Sequence, residues 1–219
     1  MTFEQFVLEN QPRNYPNPLP WFAKQMCNCV ERAMRERKNL IIELPPRSWK
    51  SELLNVYRPA WWIREGFIHN HSGLACNSAA LAEKFVQAAG RLVPLEKSIN
   101  RTSEWKLAAD AENLDLTYKG TGINGQLTGW GFDDITFDDL FKNGKEAKSP
   151  TVRTSIIDGV VSAAMNRLTP GGIVIAMQAR LHPGDTIGWL LSTQMKFIRL
   201  HIPACNDDGQ GAWLEDLYE

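Results

Sequence analysis

No stretch of this sequence is long and apolar enough to cross a bilayer. The opening Met1-Thr2-Phe3-Glu4-Gln5 also lacks both the basic flank and the apolar core of an export signal. The expectation is a chain that is neither exported nor inserted in a membrane. Charge of one sign is missing too: 24 Lys and Arg stand against 25 Asp and Glu, a formal net charge of −1. That balance excludes a protein that holds nucleic acid by bulk basicity, so any such contact must be local or shared with other chains. Cysteine is scarce. Cys27, Cys29, Cys76 and Cys205 fall without metal-ligand spacing, and Cys27 and Cys29 point to different sides of a helical pattern. They read as reduced cytosolic thiols. Repeats, low-complexity tracts and heptads are absent as well. What is left is an ordinary globular composition, 43% hydrophobic and 22% charged over 219 residues, enough for one domain or two.

What is present is an alternation of strands and helices. Pro12, Pro16, Pro18 and Pro20 predict irregular structure over residues 1–20, followed by a helix over 21–37 with a charged, solvated end. A strand over 39–44, a helix over 50–62, a strand over 73–76 and a helix over 79–92 capped by Ser78 come next. Residues 94–113 carry weak signals, and 113–119 alternate like an exposed strand. A strand over 134–137, a helix over 149–167, a nearly continuous apolar run over 172–177, a helix over 185–193 and a strand over 197–202 complete the pattern. Such alternation predicts a parallel sheet with helices on both faces, and in such sheets ligands bind beyond the carboxyl ends of the strands.

The polar residues fall at those ends. The strand over 39–44 runs into Pro45-Pro46-Arg47-Ser48-Trp49-Lys50-Ser51, an imperfect version of the G-x-x-x-x-G-K-[ST] phosphate loop in which Leu44 and Trp49 stand where glycines are usual. The strand over 134–137 ends in Asp138-Asp139, and the run over 172–177 ends in Gln178-Ala179-Arg180. Triphosphate hydrolysis needs these types of group. A lysine offsets phosphate charge, a serine hydroxyl and an aspartate hold Mg²⁺, and a second carboxylate positions or deprotonates the attacking water. Lys50, Ser51, Asp138 and Asp139 fit those four roles. Taken singly, Lys50-Ser51 is a helix cap beside a solvated charge and Asp138-Asp139 a turn; their order at successive strand ends is what favours a nucleotide site.

The run Pro45-Pro46-Arg47-Ser48-Trp49-Lys50-Ser51-Glu52 resembles the Pro-Pro-Arg-x-Gly-Lys-Ser loop of the large terminase subunits of tailed bacteriophages. Cys76-Asn77-Ser78-Ala79-Ala80-Leu81-Ala82-Glu83-Lys84-Phe85 is similar to the segment after that family's second strand. Leu127-Thr128-Gly129-Trp130-Gly131-Phe132-Asp133 resembles the loop before its Walker B strand. Asp138-Asp139-Leu140-Phe141-Lys142-Asn143, with Glu146-Ala147-Lys148-Ser149, is similar to the Asp-Asp-Pro-x-Lys-Asn and Glu-Ala-x-Ser pattern that follows. Arg167-Leu168-Thr169-Pro170 and Gln178-Ala179-Arg180-Leu181-His182-Pro183-Gly184-Asp185 resemble the coupling strand and its terminus.

The resemblance spans residues 38–191 and implies an α/β fold of the P-loop NTPase type. This is an ASCE or RecA-like three-layer sandwich with a mainly parallel sheet, whose Walker A and Walker B elements bind ATP and Mg²⁺ and whose hydrolysis pumps double-stranded DNA into a procapsid. It divides the chain into an N-terminal segment and helix on the adenine side (1–38), an ATPase core (39–205) and a linker toward an absent nuclease domain (206–219), as in a chain cut short or a split gene. Implied partners are double-stranded DNA, a portal protein, a small terminase subunit and further copies in a ring, expected to be a pentamer, with a monomer in isolation. The implied setting is the cytoplasm of an infected bacterial host. By the same resemblance Lys50, Asp139, Arg47 and Gln178 are catalytic. Pro46, Arg47, Ser48, Trp49, Lys50, Ser51, Glu52 and Gln25 contact nucleotide, with Tyr15 and Trp21 beside Gln25 at the adenine, and Ser51 and Asp138 serve the metal.

Several residues depart from the family pattern or stay open. Trp49 replaces a glycine, and either crowds the phosphate loop or packs on a neighbouring element and leaves the loop intact. Ala179 stands where a threonine is usual, so Gln178 takes the γ-phosphate role or coupling is weak. With Trp130 where an arginine is common, Arg153 or Arg101 is left to act on a neighbouring copy. Arg47 either stabilises charge in cis or pairs with Glu43 or Glu52. Trp61-Trp62 is expected in the core, His182 as a loop cap, and His69 and His71 exposed. Lys142, Lys145 and Lys148 are DNA contacts or a solvated loop. The competing function is a degenerate phosphate-loop domain that binds DNA or protein with little turnover.

Overall fold

The computed structural model describes residues 1–13, 16–123, 125, 127, 129–164 and 166–203. Its centre is an eight-stranded sheet built from β1 (Asn39–Glu43), β2 (Ser72–Cys76), β3 (Lys97–Asn100), β4 (Glu104–Leu107), β5 (Tyr118–Gly122), β6 (Phe132–Asp138), β7 (Leu168–Met177) and β8 (Phe197–His201), in the order β3-β4-β5-β2-β6-β7-β1-β8. From β5 to β8 every pair is parallel; β3-β4 and β4-β5 are antiparallel.

Alternate side chains of the central strands enter two separate cores, which is why these strands read as continuous apolar runs. Leu40, Ile42, Leu74, Cys76, Ile173, Ile175 and Met177 face one layer of helices. That layer is α1 (Phe3–Asn10), α2 (Trp21–Glu36), α3 (Lys50–Glu52), α4 (Arg58–Arg64) and α5 (Ala79–Leu92). Ile41, Ala75, Ile135, Phe137, Val174 and Ala176 face the other, which includes α6 (Gly144–Lys148), α7 (Pro150–Ala164) and α8 (Thr186–Ser192). Trp61 and Trp62 are buried in the first core, as expected.

Three sequence expectations need correction. Residues 1–20 are not all irregular: α1 forms because Thr2 caps it reciprocally with Gln5 and because Phe3, Phe6 and Val7 are buried. Burying each such side chain is worth about 1.5–3 kcal/mol, enough to hold a two-turn helix that is marginal alone. The exposed strand expected at 113–119 is instead β5, an interior strand that starts at Tyr118, while Leu114 lies outside it and is exposed. Its Gly120 is needed for packing: a Cβ there would come within 2.7 Å of Val86 on α5. His71 is buried rather than exposed, because its ring and that of His69 both bond the carboxylate of Asp110, at 2.8 and 2.7 Å. The weak region 94–113 contains β3 and β4, and β7 begins four residues earlier than the apolar run suggested.

Candidate nucleotide site

Strand register brings the polar residues to one edge. Ile42 is level with Met177, Met177 with Asp138, and Asp138 with Cys76, so β1, β7, β6 and β2 end together. The next residues along the chain then share the space beyond the sheet.

The loop from β1 to α3 turns back on left-handed backbone at Arg47 (φ 65°) and Trp49 (φ 59°). An L-residue held there costs about 1–2 kcal/mol, which explains why glycine is the permissive choice at position 49. The Trp49 ring does not fill the loop. It leans on Phe22 of α2, with ring centroids 6.1 Å apart, and joins the apolar cluster beneath. The packing reading of Trp49 therefore describes its position. Lys50 and Ser48 are buried, while Pro46 and Arg47 are exposed and Glu52 is half-buried.

Lys50 Nζ lies 3.4 Å from Asp139 Oδ2. Ser51 Oγ donates to Asp138 Oδ1 at 3.1 Å, and Asn55 Nδ2 donates to Asp138 Oδ2 at 2.7 Å. Burial, followed by the neighbouring Asp139 charge, pushes the Asp138 carboxyl up to about 7, although Ser51, Lys50 and Asn55 pull the other way. Asp139 is held through its backbone in a left-handed conformation (φ 41°). Its N–H donates to Met177 O, and its carbonyl accepts from Asn77 Nδ2 at 2.9 Å. Its Oδ1 accepts from Ala179 N–H at 3.3 Å, which ties the ends of β6 and β7 together. Gln178 donates its N–H to Ile42 O, and its buried side-chain Nε2 has no partner.

Two signs mark this edge. Of four non-glycine residues with positive φ among those described, three are Arg47, Trp49 and Asp139. Of five buried polar side-chain atoms without a partner among the described residues, three are Ser48 Oγ, Asn55 Oδ1 and Gln178 Nε2. Strained backbone and unsatisfied polar groups gather where a ligand would satisfy them.

Lys50, Ser51, Asp138, Asp139 and Gln178 thus come together. Gln25 and Trp21 stand exposed on the first turns of α2, linked to the loop by the aromatic row Trp21, Phe22, Trp49; Tyr15 lies outside the described residues. Of the alternatives left open for Arg47, the pair with Glu43 does not form, because Glu43 is taken by Arg180 and Arg199. Arg101 pairs with Glu104, and Arg153 donates to Ala147 O. His182 is the expected loop cap, its Nδ1 accepting from Gly184 N–H. Cys27, Cys29 and Cys76 are free thiols, and Cys205 lies outside the described residues.

Asn55 and Asn77 escaped the sequence reading. The one legible signal for Asn55 was its place four residues after Ser51, on the same helix face; for Asn77 it was its place just past a parallel strand. The donor set at this edge, one hydroxyl and one carboxylate, suits a hard cation that keeps most of its waters, such as Mg²⁺. Among the described residues no three His, Cys, Asp or Glu side chains gather as a metal cluster, and no helix is long and apolar enough to cross a membrane.

No protein-family model and no curated protein sequence matches this chain. Among solved structures, the large terminase of bacteriophage HK97 superposes with a TM-score of 0.58 at 14% identity, over 94% of this chain. The fold is terminase-like. The chain covers 45% of that terminase, so it spans about half of the protein it resembles. The α/β class with a mainly parallel sheet, expected from the alternation of elements, is the terminase-like architecture observed.

Proposed function

We propose that this chain is the ATP-hydrolysing domain of a DNA-packaging motor related to the phage large terminases. The observation that carries the reading is the meeting of Lys50, Ser51, Asp138 and Asp139 at the level ends of β1 and β6, with Lys50 Nζ 3.4 Å from Asp139 and Ser51 3.1 Å from Asp138. The terminase-like fold supports it.

In this reading the Pro46–Ser51 loop and Lys50 bind the phosphates of ATP, and Ser51 with Asp138 holds Mg²⁺. When bound, Mg²⁺ offsets charge on the phosphate oxygens. Asp139 turns a water toward the γ-phosphorus and accepts its proton as the new P–O bond forms and the bond to the bridging oxygen breaks. Without nucleotide, Lys50 spends its charge on Asp139; binding releases that carboxylate for the water. Gln178, whose Nε2 lacks a partner, faces the same edge and takes the γ-phosphate contact. Hydrolysis drives double-stranded DNA, with exposed Lys142, Lys145 and Lys148 as backbone contacts. Portal protein, small terminase subunit and a ring of copies are the proposed partners, in the cytoplasm of an infected bacterium.

Lys50→Ala and Asp139→Asn should each lower ATP turnover about 100-fold or more; unchanged rates in both would sink the proposal. The left-handed Trp49 motivates the second reading, a phosphate-loop relic acting as a binding module. Calorimetry of the folded protein with MgATP separates them: no heat at millimolar ATP favours the relic, whereas heat of binding together with turnover favours the motor.

A further inference from the structure

The helix that follows the phosphate loop is not regular. After α3, residues Leu53–Tyr57 form one π-helical stretch before α4 begins at Arg58. Pro59 supplies the reason. In a regular α-helix its N–H would serve the carbonyl of Asn55, but proline has no N–H and its ring crowds that carbonyl. The widened turn relieves the crowding, and both carbonyls it frees find side-chain donors. Arg58 N–H bonds Leu53 O, five residues back. The Arg58 side-chain Nε donates to Leu54 O at 3.0 Å, and the Tyr118 hydroxyl of β5 donates to Asn55 O at 2.9 Å. Single π turns of this kind recur at functional sites.

The turn delivers Asn55 to Asp138. Asn55 is fully buried, and its Nδ2 and the Ser51 hydroxyl each take a different oxygen of that carboxylate. Ser51 is already committed to the metal in the proposed function, so Asn55 is the one donor to Asp138 with no other duty. The amide orientation follows from the partner: against the ionised carboxylate that would bind a metal, turning Oδ1 inward would set two acceptors 2.7 Å apart. Oδ1 is then left buried without a partner, an acceptor suited to a water of a hydrated cation.

We propose that Asn55 is a positioning residue for the metal-binding carboxylate Asp138, and that the π turn imposed by Pro59 and closed by Tyr118 is the device that puts it there. This rests on the Mg²⁺ and ATP reading above. It adds that the cation requirement is set by a residue outside the phosphate loop and by a tyrosine two strands away from β6.

The test uses the whole chain with Mn²⁺ as the probe in the presence of ADP, following loss of the free-ion resonance signal, together with the Mg²⁺ dependence of turnover. Asn55→Leu, close in shape and without the amide, should raise the half-saturating Mn²⁺ concentration about tenfold while the KM for ATP at saturating Mg²⁺ stays within twofold. Asn55→Ser, too short to reach Asp138, should do the same should the leucine variant fail to fold. Tyr118→Phe should give a smaller rise, about threefold. Pro59→Ala restores a backbone donor at that position, and should raise the cation requirement with no fall in melting temperature, a pairing that a merely structural role does not produce. Mn²⁺ uptake within twofold of the parent protein in both Asn55 variants overturns the role of Asn55 and leaves the ATPase reading standing. A parent protein that binds no Mn²⁺ with ADP overturns both.

Discussion

At the amino end of β6, Asp134 is buried with every oxygen engaged: Oδ1 by Arg58 at 2.7 Å, Oδ2 by Asn70 and Ser72 at 2.8 and 2.9 Å. Arg58 in turn reaches Thr136 and Leu54 O. At the carboxyl end, four residues or roughly 13 Å away, Asp138 is equally buried, but its neighbours Ser48, Asn55 and Gln178 each keep a polar atom unpaired, and the backbone around it is left-handed at three residues. One strand carries two buried carboxylates with opposite surroundings. The closed cluster is built for stability. The open one keeps unpaired polar atoms and left-handed backbone, and that contrast marks the candidate site more directly than the presence of acidic residues does.

The contrast breaks most easily at Arg58. Arg58→Ala leaves Asp134 buried without its cation, and should cost about 3–5 kcal/mol of unfolding free energy, read by denaturant titration; a loss under about 1 kcal/mol would show that the amino-end cluster is not the anchor described. Lys50→Ala should do the reverse, with turnover falling about 100-fold or more and the denaturation midpoint hardly moving, since the open edge contributes little to folding.

Acidity separates Asp138 from another buried carboxylate, Asp110 between β4 and β5, because their shifts have opposite signs. Asp138 is pushed up to about 7 in the folded chain, so the folded state binds the extra proton. The stability linked to it is fully present below the unfolded value near 3.9 and is lost as pH rises from about 4 to 7. For Asp110, burial acts upward, but the rings of His69 and His71 outweigh it and hold the carboxyl below its usual range. Its contribution is present above about pH 4 and is lost as pH falls through its lower folded value. Asp138→Asn should therefore flatten the decline between about pH 4 and 7, and Asp110→Asn should flatten the acid limb. Equal slopes in parent and variants would remove the distinction.

The smallest effect is expected at Trp49. Trp49→Gly relieves about 1–2 kcal/mol of left-handed strain but gives up the packing on Phe22, so the net change in stability should stay within about 1 kcal/mol in thermal denaturation. A larger loss would mean that the tryptophan is a core residue that happens to sit in the loop.

Lys50, Ser51, Asp138, Asp139 and Gln178 were legible because each follows an apolar run, and a run buried on both faces ends where the chain leaves the sheet. The strand read over 39–44 and the apolar run over 172–177, which is the carboxyl-terminal part of β7, were legible for the same reason. α1 was obscured by the prolines behind it, although Thr2 and Gln5 spell its cap. β5 could not be read from 113–119 because its strand character comes from neighbours on both sides, β4 and β2, and from the helix α5 against Gly120. His71 looked exposed in a polar turn; its burial rests on Asp110, 39 residues away, and on Asp133, 62 residues away.

Local chemistry along the chain determined which segments are strands, which residues stand at their ends and which types of group are offered there. Hydrophobic period and backbone preference are properties of neighbouring residues, so one chain suffices to read them. Tertiary structure alone decided that Asp138 lies within reach of Ser51 and Asn55, that Trp49 turns away onto Phe22, and that the cluster around Asp134 is fully paired while polar atoms at the Asp138 edge are not. Those outcomes depend on strand order and register, which set distances between residues tens of positions apart, and on where the Tyr118 hydroxyl meets the Asn55 carbonyl across the core.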